Sequence, residues 1–244
     1  MFQYERIDPH NPDILSITRL GHFERYHLAH RLLSQDSIVL DAACGHGYGA
    51  EIMARKAAHV IALDCHEETI ISCREKYRRN NLEFIVGNVY KMPFPDQNFD
   101  SIVAIEMIEH IESPELFLAE AYRLLKHDGK LMISTPYGNN TLPPSKIPHS
   151  KFHVKEYTFN EVLDLFEISG FDLEDYFGQY VILGKLIQLT QSRIKPVSNV
   201  KAGKAQAIME SIPMFASILS KHYRFLRGTS KNMFYYASKN HVPV

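Results

Sequence analysis

The chain has 244 residues, 45% apolar and 23% charged, enough to bury a sizeable core without staples. These values exclude a disordered chain, a collagen-like repeat and a disulfide scaffold; the three cysteines (Cys44, Cys65, Cys73) also lack metal-ligand spacing. The net charge of −1 divides into +8 over residues 190–244 and −9 over residues 1–189, so the basic end reads as a solvated helix face or as a surface for phosphate, RNA or anionic lipid.

Residues 1–36 precede the first strand and look helical around 20–34, as an N-terminal cover. Strands are expected at Ser37–Ala42, His59–Asp64, Leu82–Gly87, Ser101–Glu106 and Lys130–Thr135, with helices at roughly 48–57, 66–79, 113–126 and 158–169. The strand runs are continuous and β-branched, which suits strands buried on both faces of a parallel sheet. Ser113-Pro114 marks a helix start, while Gly129 and Gly170 mark helix stops. A sixth strand follows at Phe171–Tyr180, a helical stretch at about 181–228, and a last strand at Asn232–Ser238. This alternation predicts one α/β domain, a Rossmann-like, doubly wound, seven-stranded sheet with a helical insertion. The insertion would sit over the carboxyl edge of the sheet as a lid. No apolar run approaches the ~18–20 residues of a membrane span, and the start MFQYERIDPH lacks a signal-peptide pattern, so a cytoplasmic location is the expectation.

Asp41-Ala-Ala-Cys-Gly45-His-Gly47-Tyr-Gly49 joins the first strand to a helix. Glycines admit a ligand close to the backbone, and a helix N-terminus favours negative charge. Asp64 ends the second strand nineteen residues after Gly45, where a carboxylate grips ribose hydroxyls. The pattern also fits a dinucleotide fingerprint, but Asp41 would repel a pyrophosphate and would welcome a cationic, amino-acid-bearing ligand.

These segments, with VIALD (60–64), FIVGNVYKMPFPDQNFD (84–100), IVAIEMIEHI (102–111) and LLKHDGKLMISTP (124–136), resemble the class I S-adenosylmethionine-dependent methyltransferases. The resemblance covers about residues 20 to 180 and implies S-adenosyl-L-methionine as cofactor. It implies that the loop with Asp41, Ala43, Gly45 and Gly47 holds the methionine part. Asp64 and Cys65 would meet the ribose, and Asn88 and Val89 the adenine, with Asn88 where the family usually has Asp. GHFERYHLAHR (21–31) resembles an element of sugar and surface-polysaccharide methyltransferases, which implies that Arg25 and Tyr26 meet the cofactor carboxylate. Glu106 would close the cofactor set at the end of the fourth strand.

Glu106, Glu109 and His110 share one face if their segment is helical. Two carboxylates and an imidazole facing one way suit a divalent cation. The E-x-x-E-H pattern resembles ubiquinone-pathway O-methyltransferases, where it is metal-linked. His153-Val-Lys-Glu156-Tyr157-Thr158 resembles a later element of small-RNA 2′-O-methyltransferases. The resemblance implies Glu106, Glu109, His110 and His153 as ligands for Mg, Mn or Zn, with His149 as a competitor. His110 or His153 acting as general base is the other reading. Thr158 with Glu161 also fits a capping box. His10, His22, His59, His222 and His241 read as surface positions without evident partners, and Tyr137 and Asn139 lie where substrate residues usually sit. The resulting expectation is an O-methyltransferase for a hydroxyl of a sugar, glycan or small hydroxylated metabolite. RNA ribose 2′-O-methylation is the alternative, and the oligomeric state is open.

Overall fold

The continuous apolar runs become the strands of one sheet. The computed structural model describes residues 16–136, 150–179 and 232–240. Helix α1 (Ser16–Leu32) leads into β1 (Ile38–Ala42), α2 (Tyr48–Met53), β2 (His59–Asp64), α3 (Glu67–Lys76) and β3 (Leu82–Val86). Then come β4 (Phe99–Ile105), a 3₁₀ turn (Ile108–His110), α4 (Pro114–Leu124), β5 (Leu125–Pro136), α5 (Phe159–Ile168), β6 (Phe171–Gln179) and β7 (Asn232–Lys239). The sheet order is β3-β2-β1-β4-β5-β7-β6. Strands β1 to β5 pair in parallel, with Leu40 opposite Ile61 and Ile102.

β7 runs antiparallel to both β5 and β6. Its first residue, Asn232, therefore lies beside Pro136 at the carboxyl edge of the parallel strands. The expected helical insertion at about 181–228 lies outside the described residues, as do Tyr137, Asn139 and His149.

Side chains alternate across each strand and split the core in two. Leu40, Ile102, Leu131 and Tyr235 pack with Phe117, Leu118 and Phe166 of α4 and α5. Val39, Val60, Val103 and Met132 pack on the other face with Tyr26, Met53 and Ile70 of α1, α2 and α3. The helices thus cover both faces and leave the strand ends as the place for chemistry.

Two local expectations need correction. Ser113 precedes α4, with Pro114 in its first turn, but the serine side chain makes no cap bond. Gly129 does not end α4; the helix stops at Leu124 and β5 starts at once, because Leu125 pairs with Phe99. The other punctuation behaves as the residues suggest. Gly170 takes φ +78° just after α5, and Thr158 and Glu161 form both bonds of a capping box at its start.

Candidate active site

The carboxyl ends of β1 and β2 meet at the glycine loop. Gly45 N–H donates to Asp64 Oδ2 at 3.0 Å, and His66 N–H donates to Asp64 Oδ1 at 2.9 Å. Cys44 N–H donates to Leu63 O at 2.9 Å, which ties the loop to β2 a second time. The three glycines have different reasons to be glycine. A Cβ on Gly45 (φ +52°) would meet nothing within 4 Å, so this glycine faces open space. A Cβ on Gly47 (φ +73°) would lie 2.7 Å from the Phe84 ring, and one on Gly49 would lie 2.1 Å from the Tyr26 ring. Gly47 thus serves packing against β3, Gly49 admits α1, and Gly45 borders the room a ligand needs.

Helix α1 closes this end. Tyr26 is buried and its hydroxyl donates to Asp41 Oδ1 at 3.3 Å. Asp41 is fully buried, and its Oδ2 has no hydrogen-bond partner. Burial pushes the Asp41 carboxyl up to about 8; the Tyr26 bond opposes this and the charge of Asp64 adds to it. His22 is buried rather than a surface position and shares a 3.1 Å hydrogen bond with the Tyr48 hydroxyl. Burial and the nearby Arg25 hold its pKa well below the usual histidine range.

The adenine-side expectation falls on a loop. Asn88 is exposed, and its side-chain oxygen accepts from Tyr90 N–H at 2.9 Å. Val89 packs on the core, and Cys65 is exposed directly after Asp64. Ala43 takes a left-handed φ of +62° between β1 and the loop.

At the end of β4, Glu106 also adopts a left-handed φ of +52°, which turns the chain out of the strand. Bonds to neighbouring strands hold it there. Its N–H donates to Ser134 O at 3.0 Å, and its carboxylate accepts from Ser134 Oγ at 2.7 Å and from Asn232 Nδ2 at 2.5 Å. Arg25 Nη2 lies 3.5 Å from the same carboxylate. Ser134 and Asn232 were absent from the sequence reading. The signal for Asn232 was its place at the start of a strand, but the antiparallel direction of that strand was not visible.

The helix expected over Glu106, Glu109 and His110 is a 3₁₀ turn instead, so the three do not share a helical face. Glu109, His110 and His153 come together: one ligand atom from each lies within 4.8 Å of the others, and Glu106 is outside this group. The 150s segment is held there by main-chain bonds. Val154 N–H donates to Glu109 O at 2.7 Å, and His110 Nδ1 lies 3.1 Å from Phe152 O. A carbonyl only accepts, so His110 Nδ1 carries the proton and Nε2 offers its lone pair. Glu156 Oε1 lies 2.8 Å from His153 Nδ1 and sets that ring in the same sense. The two imidazoles stand nearly perpendicular with centroids 4.9 Å apart.

Glu109 is fully buried. Burial first, and then the charge of Glu106, hold its pKa well above the carboxylate range, while its own main-chain N–H, the Thr135 hydroxyl and the charge of Arg25 oppose the rise. A raised pKa favours the protonated, neutral form of this buried carboxyl.

Comparison with known proteins fits this geometry. Residues 40–133 match the family described as a methyltransferase domain. A "Probable S-adenosylmethionine-dependent methyltransferase" of Mycolicibacterium smegmatis is 37% identical over 153 residues, 63% of this chain and 58% of its own length. A fatty-acid O-methyltransferase of the same organism is 37% identical over 93 residues, 37% of this chain and 34% of that protein. The chain spans 51–58% of the length of the first curated relatives it matches. Among solved structures, phosphoethanolamine N-methyltransferase 2 of Haemonchus contortus, in complex with S-adenosyl-L-methionine, aligns with TM-score 0.62 and 16% identity, covering 90% of this chain and 53% of that one. At that identity the likeness concerns the fold. Residues 40–133 thus match a methyltransferase domain and lie in a sheet of the class I methyltransferase fold.

Proposed function

We propose that the chain is an S-adenosylmethionine-dependent O-methyltransferase acting on a hydroxyl of a sugar, glycan or small hydroxylated metabolite. The observation that carries this is the juxtaposition at one sheet edge of the Gly45 cradle, between Asp41 and Asp64, and the Glu109–His110–His153 cluster. A cationic methionine end fits beside Asp41, and ribose hydroxyls fit beside Asp64. The relative named for O-methylation of a fatty acid supports oxygen as the acceptor atom.

Methyl transfer needs an in-line approach of the oxygen to the sulfonium methyl, and holding both partners is worth up to ~7–11 kcal/mol. His110 and His153 each present Nε2 as an acceptor and so can take the hydroxyl proton. Glu109, His110 and His153 are also the side chains that would hold a divalent ion. Such an ion lowers the pKa of a bound hydroxyl and orients it.

The test is incubation of the protein with methyl-labelled S-adenosylmethionine and fractionated cell extract, with and without chelator. Label in nuclease-resistant glycan or small-molecule material is expected. Label in nuclease-sensitive material would transfer the reading to RNA, and no label in any fraction would overturn it.

A further inference from the structure

Glu106 holds a backbone state that a residue with a side chain rarely adopts. Its φ of +52° lies in the left-handed region, which carries a steric cost and persists only where the surroundings over-determine it. The alternation of β4 shows what the turn achieves. Val103 and Ile105 pack on the side of α1 and α2, and Ala104 packs on the side of α4 and α5. A regular strand would send Glu106 to the side of Ala104. The left-handed turn instead brings its carboxylate to α1, with Arg25 Nη2 3.5 Å from Oε2.

The bonds that hold this turn come from two strands distant in sequence. Glu106 N–H donates to Ser134 O at 3.0 Å, and Ser134 Oγ of β5 donates to Oε1 at 2.7 Å. Asn232, the first residue of β7, donates from Nδ2 to Oε2 at 2.5 Å. The antiparallel register explains the meeting, because Asn232 lies opposite Pro136 and Phe234 opposite Ser134. Opposed side chains share a face, so Ser134 and Asn232 point with Met132 and Phe234 to the side that α1 covers. A carboxylate only accepts, so both partners must donate. A hydroxyl and an amide do so without a charge of their own, and the ion pair with Arg25 is kept.

The far end of this chain of contacts is the cofactor cradle. Arg25 is buried, and the next residue, Tyr26, donates to Asp41 beside the glycine loop at 3.3 Å. Two successive residues thus fasten α1, one to the end of β4 and one to the end of β1. We propose that Ser134 and Asn232 are positioning residues for the cofactor: they hold Glu106 in its left-handed turn, and Glu106 fixes the Arg25 guanidinium where the cofactor carboxylate binds. Neither residue touches the cofactor in this scheme. Each acts through Glu106 and Arg25.

This inference rests on the methyltransferase reading, so calorimetric titration of the wild-type chain with S-adenosylmethionine comes first. Absence of binding there overturns that reading and the positioning role with it. Asn232→Asp keeps the shape of the side chain and replaces its donor by an acceptor facing Oε2. Affinity for S-adenosylmethionine should fall ~10-fold or more, the worth of a lost bond to a charged group. Ser134→Ala should act in the same direction from the side of Oε1, and Asn232→Gln, which retains the amide, should recover part of the loss. Methylthioadenosine lacks the amino-acid end of the cofactor, so its affinity should be unchanged in Asn232→Asp, which also reports that the variant is folded. In an Arg25→Met background, Asn232→Asp should cost no further S-adenosylmethionine affinity. Equal loss for both ligands, or additive losses in the two backgrounds, would make Asn232 merely structural and overturn the positioning role. Unchanged S-adenosylmethionine affinity in both Asn232→Asp and Ser134→Ala would overturn it as well, with the methyltransferase reading intact.

Discussion

The ends of β1 and β2 are organised by bonds within a short stretch of chain, whereas the end of β4 is organised from far away. Asp64 accepts from Gly45 and His66, residues of the loops immediately around it. The Glu109 cluster needs the 150s segment, and His110 and Phe152 are 42 residues apart in sequence. Each region also holds one buried carboxyl whose pKa burial raises, Asp41 beside the glycine loop and Glu109 after β4. Under the proposed function, the first region recognises the cofactor and the second carries the chemistry. A recognition site gains from being preorganised by short local connections.

The largest way to break that division is at Glu109 and His153. Glu109→Ala or His153→Ala is expected to lower methyl transfer by ~10²–10⁴-fold, with S-adenosylmethionine affinity unchanged. Single-turnover transfer and equilibrium binding, measured on the same variants, decide it. A parallel fall in cofactor affinity would mean that the two regions are one unit.

Gly49→Ala probes the recognition side through packing. The added Cβ would lie 2.1 Å from the buried Tyr26 ring, so α1 must shift. Overpacking of this kind costs ~1–3 kcal/mol, read as a lower Tm and weaker cofactor binding. An unchanged Tm would show that α1 adjusts without strain. Asp64→Ala is the smaller test of the same region: cofactor affinity should drop by tenfold or more (~1.4 kcal/mol), through lost ribose contacts and a loosened loop. Calorimetric titration with S-adenosylmethionine measures this, and an unaltered affinity would remove Asp64 from the cofactor site.

The same contrast explains what the residues disclosed in advance. Strand runs such as IVLDA and HVIALD are buried on both faces and bounded by turns, so their period and punctuation are local. Asp41, Gly45 and Asp64 were readable because strand end, glycine turn and acid follow each other within one βαβ unit. The cluster was legible in residue type but not in shape. The spacing of Glu106, Glu109 and His110 suggested one helical face, yet a left-handed Glu106 and a 3₁₀ turn split the group. That backbone geometry depends on Ser134 and Asn232, which lie 28 and 126 residues away and carry no pattern of their own. His22 was misread as a surface position because its partner, Tyr48, lies 26 residues downstream on another helix.

Asp41 supplies the finest test, because it distinguishes a preorganised site from one completed by its ligand. Its carboxyl is pushed up to about 8 by burial, whereas an unfolded Asp titrates near ~3.9. The folded protein therefore keeps a proton that the unfolded chain loses across this window. The stability this contributes is fully present below ~3.9 and is lost as pH rises through about 8. Without cofactor, Tm should fall with rising pH over that range. Glu109, whose pKa is also raised, adds a fall of the same sign. His22, held down by burial, acts oppositely, because its contribution is lost as pH falls below its ordinary ~6.5. Asp41→Asn keeps an oxygen that can accept from Tyr26 and removes the titration, so its Tm profile should be flatter than that of the wild type. Saturating S-adenosylmethionine should flatten the wild-type profile in the same way, since a cationic ligand favours the ionised carboxylate. Thermal unfolding at several pH values, on both proteins with and without cofactor, separates these cases. An identical slope in Asp41→Asn would assign the titration to Glu109 and would mean that the pocket beside Asp41 is already polar enough to hold a charge.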